Sequence, residues 1–417
     1  MLFTAQGLIR NQQLVAAAVV LVLVVVLTAG MGYFEHQDVA STDTKANDIV
    51  VTDQPSDGAL QREDEVIVEN ASEQVAENLT LIVHRVDALA KNDDTFSRIT
   101  LRVGGIESRP DGQTSLGRRL PTASSTSLRA VGFSKTRATP SRKPLAVVSN
   151  DPSTPNVTVL LPTLERVQTT PGLSYEFVVA HELGGAIVTL HDEFDGNLTR
   201  TGPIQTTTDS LLARQAVNEG IANNVGAQYV ERYRGTFNPE IVFSVSSAAH
   251  WLTHVSDATY LSGYRYAAAN SLRNPSTVSV NTTAAVLHPG ANRFVREPPI
   301  AIVPQWIDSP GEPTATDRLG ELVLRELLIT NGVSPTSAGE VAAGWRNGRV
   351  DSYDTPNGTV TAWTTIWTDQ SATRAFTNAY GANVPVTPAE SFERERCLSA
   401  ERLLLVDGQR VTVVRCS

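Results

Sequence analysis

The chain has 417 residues, of which 41% are hydrophobic and 19% charged, and its formal net charge at pH 7 is −10. This length allows one large domain or two ordinary ones, and the apolar fraction is sufficient for a buried core over most of the chain. The negative charge argues against the concentrated basic surface that nucleic-acid binding requires, so no nucleic-acid partner is expected.

The first predicted element is an apolar segment near the N-terminus. No residue in 11–34 is charged, and the run is long enough to cross a bilayer as a helix. Arg10 precedes this run and Glu35 follows it, which by the positive-inside rule orients the N-terminus toward the cytoplasm. We therefore predict a cytoplasmic N-terminus over residues 1–12, a single-pass transmembrane helix over 13–34 and an extracellular body.

A cleaved signal peptide is the alternative for this segment. Its apolar core would be shorter and would end in a small-x-small cleavage site, to which "LTAG" at residues 27–30 is a poor match. We therefore interpret the segment as a retained anchor with the membrane as its partner. Residues 35–63 are rich in Asp, Thr, Ser and Gln and are predicted to form a polar linker.

The body is predicted to be α+β, with a mainly helical region over residues 64–340 and a β-rich C-terminal portion over 341–417. Apolar spacing predicts a helix within 65–89, whose first residues also suit a short strand. Short β-branched runs predict strands at 98–106, 144–150 and 156–162. Further helices are predicted at 173–190, 210–233, 260–272, 317–330 and 371–381, and a hairpin at 348–367.

The C-terminus contains the only two cysteines. Cys397 and Cys416 flank two β-branched runs separated by Asp407-Gly408, which is a strong hairpin-turn signal. Because a hairpin brings its ends together, we predict a disulfide across its base, the alternative being two unrelated free thiols.

The stretch "AHELGGAIVTLHDEF" begins a metal-site pattern without completing it. His-Glu-x-x-His on a helix places two imidazoles one turn apart to hold zinc, with the Glu as general base. Here His181 and Glu182 are followed by Gly185 at the position of the second histidine. His191 is the next histidine, but ten residues along a helix it points away from the face of His181. Glu219, in "NEGIA", lies on the next predicted helix.

The order of these motifs resembles a family of membrane-anchored surface proteins of halophilic archaea that are related to gluzincin-type metallopeptidases. In that family HEL-x-HALQDQ-x-F is followed by EG-x-A, by a segment ending STEQVLHP and by AAGWGGDR with an aromatic strand pair. The corresponding stretches here are "AHELGGAIVTLHDEF", "NEGIANNVGAQY", "VNTTAAVLHPG" and "VAAGWRNGRVDSYD", the last followed by "TVTAWTTIW". They occur in the same order and cover roughly residues 170–380.

The resemblance implies roles for individual residues. His181 matches the first zinc ligand, Glu182 the catalytic base and Glu219 the third ligand, whereas Gly185 replaces the second ligand. The family's polar QDQ is replaced by Val, Thr and Leu at 188–190. Loss of one ligand out of three leaves a site too weak to hold catalytic zinc.

The implied function is that of a membrane-anchored cell-surface protein whose degenerate, non-catalytic metallopeptidase-like domain acts in binding or in envelope structure. No cofactor is expected, and the implied partners are envelope proteins or extracellular peptides. The alternative is an active zinc-dependent hydrolase or peptidase in which Glu182 activates water and His191 or a distant histidine replaces the missing ligand. The spacing does not supply that geometry, so the non-enzymatic interpretation is favoured.

Overall fold

The computed structural model shows an α+β chain with two sheets and a helical region connecting them. The residues that it describes are 24–26, 65–90, 98–104, 127–133, 147–150, 156–168, 173–195, 207–243, 251–272, 280–290, 312–356 and 358–416.

The first sheet is mixed and has five strands in the order β1-β4-β5-β3-β2. Strands β2, β3 and β5 run parallel, and β4 pairs antiparallel with both β5 and β1. The strands are β1 (Val24–Val26), β2 (Glu65–Glu69), β3 (Arg98–Val103), β4 (Val147–Asn150) and β5 (Asn156–Leu161). Alternate apolar residues of β3 and β5, such as Leu101 and Val159, are fully buried because successive side chains point to opposite faces of a strand.

Helices from the central part of the chain pack on this sheet. They are α1 (Glu73–Ala90), α2 (Leu164–Gln168), α3 (Tyr175–Asp195), α4 (Thr208–Tyr233), α5 (Pro239–Val242), α6 (Trp251–Ala269) and α7 (Thr283–Leu287). Helix α3 is buried on every side from Tyr175 to Thr189, which places it in the core rather than at the surface. The apolar core of this half joins α1 and α3 to strands β3 and β5.

The second sheet has six strands in the order β6-β7-β8-β11-β10-β9, antiparallel except for β9 beside β10. Its strands are β6 (Ala315–Asp317), β7 (Trp345–Thr355), β8 (Gly358–Trp367), β9 (Thr387–Ala389), β10 (Leu403–Asp407) and β11 (Arg410–Cys416). The helices of this part are α8 (Gly320–Thr330), α9 (Pro335–Ala342), α10 (Gln370–Asn383) and α11 (Arg394–Ser399). Buried Trp345, Trp363 and Trp367 form the centre of its core, with Phe376 stacked on Trp367 at 4.5 Å between ring centroids.

The predicted C-terminal hairpin and disulfide are confirmed. Strands β10 and β11 pair antiparallel on either side of Gly408, whose φ of +59° is in the left-handed region that favours glycine. Cys397 and Cys416 are bonded, with their Cα atoms 5.7 Å apart. The bridge joins α11 to β11, and the fully buried Cys397 packs against apolar residues of the sheet.

The transmembrane-helix prediction for residues 13–34 is wrong where the structure describes that segment. Val24–Val26 form a strand, in which Val24 pairs with Ser149 and Val26 with Val147. Among the described residues no helix combines the length and apolarity needed to cross a bilayer. An unbroken Val and Leu run carries no periodicity that separates helix from strand, and valine favours strands.

The predictions that depended on this helix are corrected with it. They are the single-pass membrane localisation with an extracellular body and the fold class that begins with a transmembrane helix. The description of the body as mainly helical is also wrong, since a five-stranded sheet lies within it. The predicted cytoplasmic N-terminus at 1–12 and linker at 35–63 lie outside the described residues, and the predicted domain boundary after residue 340 stays a prediction.

Candidate functional site

The helix α3 brings the first two motif residues into the protein interior. It begins after Ser174, whose hydroxyl accepts a hydrogen bond from the Phe177 amide at 3.1 Å. His181 and Glu182 lie about two turns further on, with only 2% and 1% of their surface exposed. The sequence motif is therefore part of a buried helix packed between the first sheet and α4.

The helix α4 places Glu219 beside His181. The distance between His181 Nε2 and Glu219 Oε2 is 3.6 Å, and Glu219 is 8% exposed. The two zinc ligands that the resemblance implies, His181 and Glu219, therefore lie close together.

Helix α6 supplies the remaining members of this group. Tyr260 is buried, and its ring stacks on the His181 imidazole with the centroids 6.5 Å apart. The Asn223 side chain donates a hydrogen bond to the Tyr260 carbonyl at 3.2 Å. We call His181, Glu182, Glu219, Asn223 and Tyr260 the His181 cluster.

The polar atoms of the His181 cluster are incompletely satisfied. Within the described part of the chain, four buried atoms in it have no hydrogen-bond partner: His181 Nδ1, Glu182 Oε1, Glu219 Oε2 and Asn223 Oδ1. A buried polar atom without a partner costs about 1–3 kcal/mol, so this cluster opposes folding locally.

Burial and neighbouring charge change the acidity of two members of the cluster. Burial first, and then the charge of Glu219, raise the pKa of Glu182 well above its ordinary value near 4.5. The pKa of Tyr260 is raised by burial and next by the charge of Glu219. Both shifts favour the neutral form of the group.

Glycines bring the three helices into backbone contact around the cluster. A Cβ at Gly184 would lie 2.9 Å from Ala222 Cα, and one at Gly220 would lie 2.2 Å from the Gly263 carbonyl oxygen. Helices α3, α4 and α6 therefore approach as closely as glycine permits. This close approach leaves the cluster enclosed by the helices.

Gly185, at the position of the missing ligand, has different surroundings from Gly184. A Cβ there would meet only Val148 Cγ2, at 3.8 Å, which is an ordinary van der Waals contact. Because Gly185 faces strand β4 with room to spare, the loss of a side chain at 185 is not required by helix packing. Gly184, by contrast, lies at a close contact between α3 and α4.

The metallopeptidase interpretation is contradicted by the donor set. In the ranges that the structure describes, no three or more His, Cys, Asp or Glu side chains form a group that could hold a metal ion. His181 and Glu219 converge, but Gly185 offers no donor, and a hydrolytic zinc site takes three protein ligands. The residues present do not fit a zinc ion.

The proposed substitute ligand is not brought into this site by a chain reversal. His191 lies in α3, which continues to Asp195, so the chain does not fold back before it. Its side chain lies outside the described residues.

A second group of buried polar residues was not found from the sequence. Asp209, in the first turn of α4, is fully buried, and its Oδ2 lies 3.1 Å from Arg318 Nε. Thr207 is the N-cap of α4, forming a capping box with Ser210. Because Thr207 supplies the cap, the Asp209 carboxylate can bind groups elsewhere in the fold.

Two histidines outside the motif form pairs with buried glutamates of α8. His288 Nε2 lies 2.6 Å from Glu321 Oε1, and His254 Nδ1 lies 3.6 Å from Glu326 Oε2. Nothing in the sequence pairs either histidine with α8. Both pairs connect the central helices to the C-terminal part.

Comparison with known proteins gives a family match for the C-terminal part alone. Residues 309–417 match a domain of unknown function, DUF8575. No curated protein and no solved structure matches the chain. The match begins just before β6 and includes α8 and the whole second sheet, whereas the His181 cluster lies outside it. The resemblance to gluzincin-related surface proteins stays a prediction.

Proposed function

We propose that the protein is a non-catalytic binding or structural protein, in which the His181 cluster contributes to helix packing rather than to turnover. The observation that carries this proposal is the enclosure of His181, Glu182 and Glu219, none of which is more than 8% exposed. A reacting group must come within about 3–3.5 Å of its substrate, and these side chains face other helices.

The state of Glu182 supports the same proposal. A general base must be ionised near the working pH, whereas burial and the nearby Glu219 raise the pKa of Glu182 and favour its protonated form. The partner that would activate water next to it is also missing, because no group of described residues can hold a metal ion.

The proposed partners are proteins or peptides. The net charge of −10 opposes binding to nucleic acid. The binding surface is expected outside the His181 cluster, since the cluster offers no exposed polar group around which a ligand could assemble.

Hydrolysis assays on the full chain test this proposal. We expect no turnover of a peptide library or of simple esters, with or without added zinc, by the native protein. Turnover that disappears in Glu182→Gln and survives in the control Glu240→Gln would overturn the proposal. Glu240 is a suitable control because its side chain is 62% exposed in a surface ion pair with Arg265.

A further inference from the structure

The second polar group lies where α4 and α7 meet the DUF8575-matched residues. Asp209 Oδ1 accepts hydrogen bonds from the Thr283 amide at 2.8 Å and from the Thr283 hydroxyl at 2.7 Å. Its own amide donates to the Arg318 carbonyl at 2.8 Å, and its Oδ2 forms the ion pair with the Arg318 guanidinium. One carboxylate thus contacts α7 on one side and the matched residues on the other.

A second carboxylate from the matched residues makes the reciprocal contact. Asp317 Oδ1 accepts from the Thr208 amide at 2.8 Å, and Asp317 Oδ2 accepts from the Thr208 hydroxyl at 2.7 Å. Both residues are 1% exposed. The first turn of α4 and the end of β6 therefore satisfy each other's polar groups.

The backbone next to Asp209 leaves no space for a side chain at position 320. Gly320 has a φ of +83°, and a Cβ on it would lie 1.9 Å from Asp209 Oδ1. The Thr283 hydroxyl also accepts a hydrogen bond from the Leu322 amide at 3.1 Å. We call Thr208, Asp209, Thr283, Asp317, Arg318 and Gly320 the Asp209 lock.

The apolar core crosses the same boundary. One continuous cluster joins α8 and the second sheet to residues that precede the matched range: Leu128, Val131, Phe133, Leu212, Val255 and Ala284. In addition, the Tyr380 hydroxyl donates to the Val131 carbonyl at 2.7 Å, and Arg402 Nε donates to the Ala130 carbonyl at 2.8 Å. The larger apolar core of the matched residues is therefore shared with residues that precede them.

We propose that the Asp209 lock makes the central helices and the DUF8575-matched residues one cooperative unit, so that neither part opens without the other. The Asp209 carboxylate lies at the contact between α4, α7 and α8. Removing it leaves the Arg318 guanidinium without its counter-charge and the Thr283 amide without its acceptor. Helix α4 also carries Glu219, so the same helix extends this coupling to the His181 cluster.

Native-state hydrogen exchange of the full chain, followed by mass spectrometry at increasing urea, tests the proposal. In the native protein we expect the slowest amides of α4, α8 and β8 to lose protection at the same urea concentration. In Asp209→Ala we expect α7 and α8 to exchange at least about tenfold faster and to lose protection before α3 does. Asp369→Ala, which removes the exposed N-cap of α10, is the matched control and should leave the openings coincident.

Two results would overturn the proposal. One is a native protein in which α8 and β8 open at lower urea than α4. The other is an Asp209→Ala protein whose openings stay coincident like those of the control. Should Asp209→Ala not fold, Asp209→Asn is measured instead, because it keeps an acceptor for Thr283 and removes the charge facing Arg318. We expect α7 and α8 to lose protection before α3 in this variant too.

Discussion

The two polar groups on helix α4 make a natural comparison, because each places a carboxylate of one helix in the protein interior. Burial raises the pKa of Asp209 at the first turn, and the charge of Arg318 and the hydrogen bonds from Thr283 oppose that rise. Glu219, ten residues later, faces a histidine at 3.6 Å and another carboxyl, with one oxygen lacking a hydrogen-bond partner among the described residues. Asp209 Oδ2 also lacks a hydrogen bond, but it lies 3.1 Å from Arg318 Nε, so one oxygen of Asp209 is hydrogen-bonded and the other is ion-paired.

This difference indicates which group contributes more to the stability of the fold. A satisfied buried network rigidifies a core, and a partly satisfied one is worse than an apolar core. The His181 cluster is tolerated because close glycine contacts between α3, α4 and α6 hold it, not because its polar atoms are paired. Substitutions at Asp209 should therefore lower stability more than substitutions in the His181 cluster.

The largest effect is expected at the Asp209 lock. Asp209→Ala should lower the free energy of unfolding by about 3–5 kcal/mol, because it leaves the half-buried Arg318 without its counter-charge and the buried Thr283 donors without their acceptor. Urea denaturation followed by circular dichroism measures this loss. A loss no greater than that of Asp369→Ala would show that the lock contributes no more than a surface cap.

The adjacent glycines of α3 should respond oppositely to the same substitution. Gly184→Ala should destabilise the fold by about 1–3 kcal/mol, because its Cβ would overlap the α4 backbone at Ala222. Gly185→Ala should stabilise it by up to about 1 kcal/mol, since its Cβ has room and alanine favours helix. Thermal unfolding of the pair gives the comparison. Equal shifts in the two variants would contradict the described helix contact.

A smaller, pH-dependent effect is expected at Glu182. Its folded-state pKa is raised, so the folded protein binds more protons than the unfolded chain once pH exceeds the ordinary value near 4.5. Its contribution to stability is therefore fully present below that pH and is lost as pH rises toward the folded-state pKa. Denaturation at pH 5 and pH 8 should show a smaller decline for Glu182→Gln than for the native protein. An unchanged pH slope would argue that Glu182 is ionised in the fold.

The parts that sequence alone predicted are those with local signals. The Asp407-Gly408 turn, the Cys397–Cys416 bridge and the helix carrying His181 each depend on residues close together in the chain. The proximity of Glu219 to His181 came from motif order. The short strand at Val24–Val26 was mistaken for part of a membrane helix, because a valine run fits either structure.

The Asp209 lock could not be predicted because its partners are far apart in sequence. Asp209 lies 74 residues from Thr283, and Thr208 lies 109 residues from Asp317. No local pattern distinguishes such an acid from an ordinary residue in the first turn of a helix. The different surroundings of Gly184 and Gly185 likewise depend on how α3 is rotated against α4, which only the packed structure shows.

Zinc titration of the full chain, with bound metal measured by mass spectrometry after removal of free ions, tests the central claim most directly. If the His181 cluster is a packing element, the native protein should retain only substoichiometric zinc, and His181→Ala should retain the same amount as the native protein. Stoichiometric zinc that is lost in His181→Ala and kept in His84→Ala, a histidine of α1, would contradict the account.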